Sequence, residues 1–478
     1  MSIKKKMAKG AFWLFLEKGA QQISSFVVFA VIARIIGPSE YGLVALCTMV
    51  MMLMNNVTLG LVDAIISMRI RDEERLSSLF FMISGLGFAL SLLSFFLAQP
   101  FALLFEYERL APLLQAFSPL PFLFSLAAVP TALITATMDF RIFTIRTFFA
   151  ALAGGIAGIW AVLNGFGAFS LALQQITAQG AILIVLWFTS SWRPRLIFKT
   201  KAMADMLRLG LAQTGTLFVS FLDTQSPRFI LGLFLGPLAV GYYAFVARVC
   251  GAIQDGIIQP VLTVIYPALA ELDDDHAQKK VIVKQTFFVA GLIMIPVVGG
   301  MILTADVFIP FLFGKQWEDS ALAMQIFALT SFTFAINTIL RSILRACRQT
   351  AAYLRAQTMV VTIGVLGSFA AVAYGFEAVV IWKTIVTFLA LISYSLLVRK
   401  RARLSLKEGY KTLASPLFSG LVMMIGLWLF TQSPLVPSAA FFNLVIMVVL
   451  GAFIYGGVLV LSERKRLKSL LKKIRQRV

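Results

Sequence analysis

Residues Ala30 to Gly42 read AVIARIIGPSEYG. An apolar run enters Gly37-Pro38, turns, and leaves at Gly42 into a second apolar run. Glycine ends a helix by permitting positive φ, and proline cannot continue the helix before it. The same punctuation recurs 199 residues later, where Gly236-Pro237-x-x-x-Gly241 answers Gly37-Pro38-x-x-x-Gly42. Each copy stands between long apolar helices. Two such turns at matching places predict a chain built from a repeated unit.

The composition sets the environment. Of 478 residues, 59% are hydrophobic and 13% charged, and the mean hydropathy is +0.89. Soluble domains are about 45–50% apolar and about 25% charged, so this is a polytopic membrane protein. The 43 Phe and 33 Gly suit lipid-facing bulk and close helix packing. Cys47, Cys250 and Cys347 show neither a CxxC spacing nor a secreted framework and read as small apolar packing residues. The single histidine, His276, lies in the polar run LDDDHAQKK and reads as solvated. Neither a metal cluster nor a cofactor motif is visible. The apolar run after the basic N-terminus reads as a retained first span rather than a signal peptide.

With about 20 apolar residues per span, fourteen spans are predicted: roughly 11–36, 42–62, 79–98, 113–137, 148–163, 168–188, 208–235, 238–262, 283–303, 320–340, 357–374, 379–398, 413–431 and 439–461. With both termini cytoplasmic, the inner segments hold 35 of the 42 Lys and Arg, and the outer loops hold two, Arg109 and Lys315. Five lie inside spans: Lys18, Arg34, Arg228, Arg248 and Lys383. That is the asymmetry of the positive-inside rule. The net charge of +20 thus reflects topology and attraction to anionic inner-leaflet lipids. Nucleic-acid binding is not expected, because the chain lacks a folded basic domain. The tail 462–478 places Leu467, Leu470, Leu471, Ile474 and Val478 on one face, as in an amphipathic helix lying on the membrane. Outer loops this short leave no room for a domain that polymerises or ligates glycans, so an enzyme is not expected.

The repeat extends further. Leu103-Leu104-Phe105 followed by Gln115-Ala116-Phe117 resembles Phe311-Leu312-Phe313 followed by Gln325-Ile326-Phe327. The expected organisation is all-α: an N-terminal six-helix lobe at 1–200, a second at 201–412, an extra helix pair at 413–461 and the basic tail. Such repeats commonly place a substrate site between halves that rock.

The run ARIIGPSEYGLVAL at 33–46 resembles the first-span exit of the polysaccharide flippases, within the multidrug/oligosaccharidyl-lipid/polysaccharide exporter superfamily. LGPLAVGYYAFVAR at 235–248, QPVLTVIYPALAELDDD at 259–275 and LFGKQWEDSALAMQIFAL at 312–329 support it. The resemblance implies two six-helix lobes in a V, opening alternately to each side of the bacterial inner membrane. It also implies an undecaprenyl-pyrophosphate-linked oligosaccharide as cargo, flipped for exopolysaccharide, capsule or lipopolysaccharide assembly. A polymerase and a chain-length regulator of the same pathway are the protein partners implied. Family members often carry an Asp where this chain has Pro227, just before Arg228, and Asp223 lies one turn earlier.

Charge at membrane depth is costly and often marks a pathway. Gln213, Thr216, Ser220, Asp223 and Pro227 step at helical spacing with Arg228 beside them. The next span carries Arg248 and Asp255, the first Lys18, Gln21, Gln22 and Ser25, and the second Asn55, Thr58 and Asp63. Two uses are open. The charges pair internally, Arg228 with Asp223 and Lys18 with Glu17 or Asp63, or they line a hydrophilic cavity. In the second reading Arg248, Arg228 and Lys18 anchor pyrophosphate. Asp223 and Asp255 hold the arginines when empty, and Gln22 and Asn55 meet sugar. The competing functions are a cation-coupled multidrug exporter, which predicts twelve spans, and a membrane polymerase or glycosyltransferase, which predicts an outer domain.

Overall fold

A computed structural model describes residues 24–68, 72–137, 140–198, 200–258, 269, 276–434, 436–437 and 439–475, apart from the side chains of 137, 140–141, 200–206, 209, 211–212, 257–258, 276 and 465–475. Every regular element among them is helical. In chain order these are α1 (Ser24–Ile35), α2 (Pro38–Ser67), α3 (Glu73–Phe96), α4 (Ala98–Phe105), α5 (Leu110–Phe117), α6 (Leu120–Thr137), α7 (Phe140–Leu163), α8 (Phe169–Thr189), α9 (Thr200–Phe234) and α10 (Gly236–Ile253). A π-helical turn, Gln254–Ile258, follows. The remainder are α11 (His276–Phe313), α12 (Ala321–Ala346), α13 (Thr350–Ala371), α14 (Phe376–Arg401), α15 (Lys407–Lys411), α16 (Ala414–Thr431) and α17 (Ala440–Arg475).

Twelve helical segments among the described residues are long and apolar enough to cross a membrane. They fall at twelve of the fourteen expected positions, and the full count of fourteen is not established by them. At the first position only the twelve-residue α1 is described, and at the seventh stands the 35-residue α9. The fourth expected span divides into two helices, α5 and α6, with a turn at Ser118 and Pro119. The ninth runs well past its expected ends, as the 38-residue α11 with Pro296 and Pro310 inside it. The tail's expected apolar face lies outside the described side chains, and α17 loses helical geometry at Glu463.

The chain forms two compact units, one of Met1–Phe245 with Val365–Val379 and one of Val246–Gly364 with Val380–Val478. The division runs through α10, α13 and α14 rather than between helices. In the first unit α2 lies along α9 and α6, while α7 pairs with α8. Its core gathers Leu61, Ile65, Leu79, Ile83 and Val129. Phe80 meets Trp187 and Trp192 edge-on at 5.6 and 5.8 Å. The two copies of the opening motif meet here. A Cβ on Gly42 would stand 2.7 Å from the Pro237 carbonyl carbon and 2.9 Å from Gly241 N. One on Gly241 would stand 2.7 Å from the Pro38 carbonyl carbon. Glycine is therefore required at both places by close backbone approach, and Gly236 also by its φ of +86°.

In the second unit α11 packs on α12, α16 and α17. Met423, Leu427, Met447, Tyr455 and Leu459 form the seam, and the Tyr455 hydroxyl donates to Leu292 O at 3.1 Å. Trp317, in the short turn before α12, is fully buried. Around it Lys315, Gln316, Glu318 and Asp319 are exposed, so within LFGKQWEDSALAMQIFAL the tryptophan is the packing residue of an otherwise polar turn.

Candidate functional site

α9 carries the polar row expected of it. Thr216 and Ser220 are exposed, Gln213 and Asp223 half-buried, and Pro227 buried. The row thus passes from open surface to packed interior over three turns. Pro227 lies within the helix without ending it.

Arg228 is half-buried beside this row. Its Nη1 donates to Gln225 Oε1 at 3.0 Å, an i−3 contact along α9. Gln225 is only 3% exposed. Its amide nitrogen faces Met52 Sδ on α2 at 3.5 Å and Thr224 Oγ1 at 3.4 Å. Gln225 thus stands between the guanidinium on α9 and Met52 on α2. Asn55, half-buried, lies three residues beyond Met52 and so on the same side of α2. Sequence reasoning missed Gln225 because it stands off the 213–227 row. Its i, i+3 spacing to Arg228 was the signal available.

Arg248 and Asp255 belong to the other compact unit. Both are exposed. Arg248 lies twelve residues past Gly236, about 18 Å along α10 at 1.5 Å per residue. Asp255 lies seven residues beyond Arg248, just after the helix changes from α to π geometry at Gln254. Such wide turns recur at functional positions. Next to Asp255, Gln254 Nε2 donates to Ser331 Oγ on α12 at 3.1 Å. Further along α12, Thr333 Oγ1 donates to Thr387 Oγ1 at 3.0 Å and Asn337 Nδ2 to Thr387 O at 3.2 Å. This run of hydroxyl and amide groups between α12 and α14 was also missed, since the groups that meet are 54 and 50 residues apart in the chain.

Lys18 and Gln22 lie outside the described residues, as does the stretch 259–275 apart from Leu269. Among the described residues no group of three or more His, Cys, Asp or Glu could hold a metal ion. Each unit by itself carries a cation and neutral polar groups: Arg228 with Gln225 in the first, and Arg248, Gln254 and the Thr333–Thr387–Asn337 hydrogen bonds in the second.

Comparison with known proteins shows which proteins the chain resembles. The chain is 25% identical to the succinoglycan biosynthesis transport protein ExoT of Rhizobium meliloti (strain 1021), over 99% of this chain and 96% of that protein. It is 23% identical to the lipopolysaccharide biosynthesis protein WzxC of Escherichia coli (strain K12), over 72% of this chain and 71% of that one. Its fold is similar to the lipid II flippase MurJ in an inward closed conformation, with a TM-score of 0.79 at 16% identity, covering 95% of this chain and 99% of that one. Residues 31–322, more than half the chain, match the family described as polysaccharide biosynthesis protein, and this multi-pass membrane protein belongs to that family.

Proposed function

We propose that the protein flips undecaprenyl-pyrophosphate-linked oligosaccharide repeat units across the bacterial inner membrane by alternating access, supplying exopolysaccharide, capsule or lipopolysaccharide assembly. Both termini are cytoplasmic in this reading, so the Pro38 and Pro237 turns face outward. The protein makes and breaks no covalent bond. A pathway polymerase and chain-length regulator act on the delivered cargo.

The observation that carries the reading is Arg228, a cation oriented by a buried neutral amide, on a helix whose Thr216 and Ser220 are exposed and whose Asp223 is half-buried. An exposed Arg248 far along an apolar helix supports it, because charge at that depth faces water or protein rather than hydrocarbon. The substrate roles of Arg248, Arg228, Asp223, Asp255, Lys18, Gln22 and Asn55 belong to the same proposal. The relatives' printed names, a succinoglycan transport protein and a lipopolysaccharide biosynthesis protein, point to glycan cargo.

The test is reconstitution. Purified protein in liposomes should move a short lipid-linked pyrophosphate oligosaccharide between leaflets, and deletion of the gene should accumulate such intermediates in the inner leaflet. Purified protein that elongates or cleaves the glycan would overturn the reading.

A further inference from the structure

The two GP-turn copies meet reciprocally. Gly42 of the first closes on the Pro237 carbonyl of the second, and Gly241 of the second closes on the Pro38 carbonyl of the first. Adding 199 to the first-repeat residue and subtracting it from the second-repeat residue exchanges one contact for the other, so the contact is self-complementary, as at a two-fold axis. It is made by backbone: any Cβ at Gly42 or Gly241 would come closer than 3.0 Å to a main-chain atom. Aromatic packing brackets it. Phe29 of α1 lies 5.6 Å from Tyr41 and 5.9 Å from Phe245.

α2 touches the second repeat's backbone again at its other end. A Cβ on Gly60 would stand 2.9 Å from Gly210 O and 2.9 Å from Thr214 N of α9. Gly42 and Gly60 are eighteen residues apart, about 27 Å at 1.5 Å per residue, close to the roughly 30 Å of a bilayer core. One helix is therefore clasped by the other repeat at both faces of the membrane. A pathway alternating between the two sides has to release one clasp at a time.

We propose that the reciprocal Gly42–Gly241 crossing is the outer latch of this transporter and the Gly60 contact with Gly210 and Thr214 its inner latch. The two part in alternation, and both are shut in the form described here. The inference rests on the flippase reading for which side is outer. It adds which backbone contacts must separate. The latches differ in build. The outer one is backbone against backbone in both directions, whereas the inner one includes side chains both ways, the Thr214 hydroxyl against Gly60 and Leu61 against Gly210.

The test needs no cargo. A single reporter, Ser220→Cys on the exposed row of α9, is placed in a background with Cys47, Cys250 and Cys347 changed to Ala. It is labelled with a membrane-impermeant maleimide from either side of oriented vesicles. Gly241→Ala should raise outside over inside labelling by roughly 5- to 150-fold, the range equivalent to about 1–3 kcal/mol of coupling. Gly60→Ala should move the ratio the opposite way. Ratios that stay put in correctly inserted variants, or that move together, overturn the proposal.

A second arm keeps both glycines. Ser39→Cys and Leu238→Cys, an exposed pair related by the same 199-residue offset, are joined by a short, reducible bis-maleimide. Joining should stop export and reduction restore it. Full export while joined, or failure of the pair to join at all, overturns the latch. A labelling shift in a protein that moves no lipid-linked glycan leaves the latches standing and removes the cargo assignment instead.

Discussion

Replacing Gln225 with Leu shortens the side chain by one atom, leaves a branched apolar body in its place and removes the acceptor that holds Arg228. The bond lost is 3.0 Å long, made to a charged donor, from a residue 3% exposed. Hydrogen bonds to charged groups contribute about 1.5–3 kcal/mol. At 1.4 kcal/mol per factor of ten, that range corresponds to about a 10- to 150-fold loss of affinity for a phosphate-bearing cargo. Arg228 makes further interactions, so the outcome is expected near the low end. The assay pairs lipid-linked oligosaccharide binding in liposomes with thermal unfolding in detergent. Gln225→Glu separates the two readouts. It retains an acceptor and so recovers thermal stability relative to Gln225→Leu, but its carboxylate neutralises the guanidinium and cargo affinity stays low. A Gln225→Leu protein that binds and exports like wild type would refute the reasoning. So would a Gln225→Glu protein no more stable than Gln225→Leu, since packing rather than the acceptor would then be what matters.

Arg248→Ala is expected to insert and express normally yet abolish polymer export, with Arg248→Lys recovering it only in part because paired donors are lost; complementation of a deletion strain at matched expression decides, and normal export by the Ala variant would shift the search for the cation to Lys18. Reporter fusions after His276 and at Val478 should read inside, and those near Gln316 and Ser433 outside; an outside C-terminus would reverse the assignment of the latches. Trp317→Ala removes a fully buried indole and should cost about 3–5 kcal/mol, read as loss of folded protein rather than as an altered cargo preference.

The span pattern and the repeat were legible because both are written in hydrophobic period and punctuation. An apolar helix has to find lipid or another helix, and Gly-Pro has to interrupt it. Gly42 and Gly241 could be seen to recur, but recurrence says nothing of contact. Their meeting depends on two helix ends crossing, which no local spacing encodes. The π turn that begins at Gln254 was not legible, because an apolar helix with one polar QDG step gives no warning of it. Gln225, Gln254 and Asn337 were overlooked because their partners, Met52, Ser331 and Thr387, stand far away in the sequence. Buried amides reveal their use only when their partners are known.

Those amides bear on how an anion could be held at all. A cation in an apolar bundle has to be compensated when no cargo is present, since even insertion scales place its cost at about 2.5–3.5 kcal/mol. A carboxylate partner compensates fully but cancels the charge, and the incoming phosphate then has to displace it. A neutral acceptor such as Gln225 orients the guanidinium through its carbonyl oxygen and leaves the formal charge in place. Its amide nitrogen is in turn committed toward Thr224 and Met52, so its rotation is restrained from the α2 side. Movement of α2 against α9 would therefore change the footing of Gln225, and through it the aim of Arg228. A substrate phosphate on Arg228 and the packing of α2 on α9 are then coupled through one side chain, and Gln225→Leu should uncouple them. In that variant Ser220→Cys labelling should cease to respond to added cargo while still responding to Gly241→Ala. A Gln225→Leu protein whose labelling follows cargo as in wild type would show that the coupling runs through another contact.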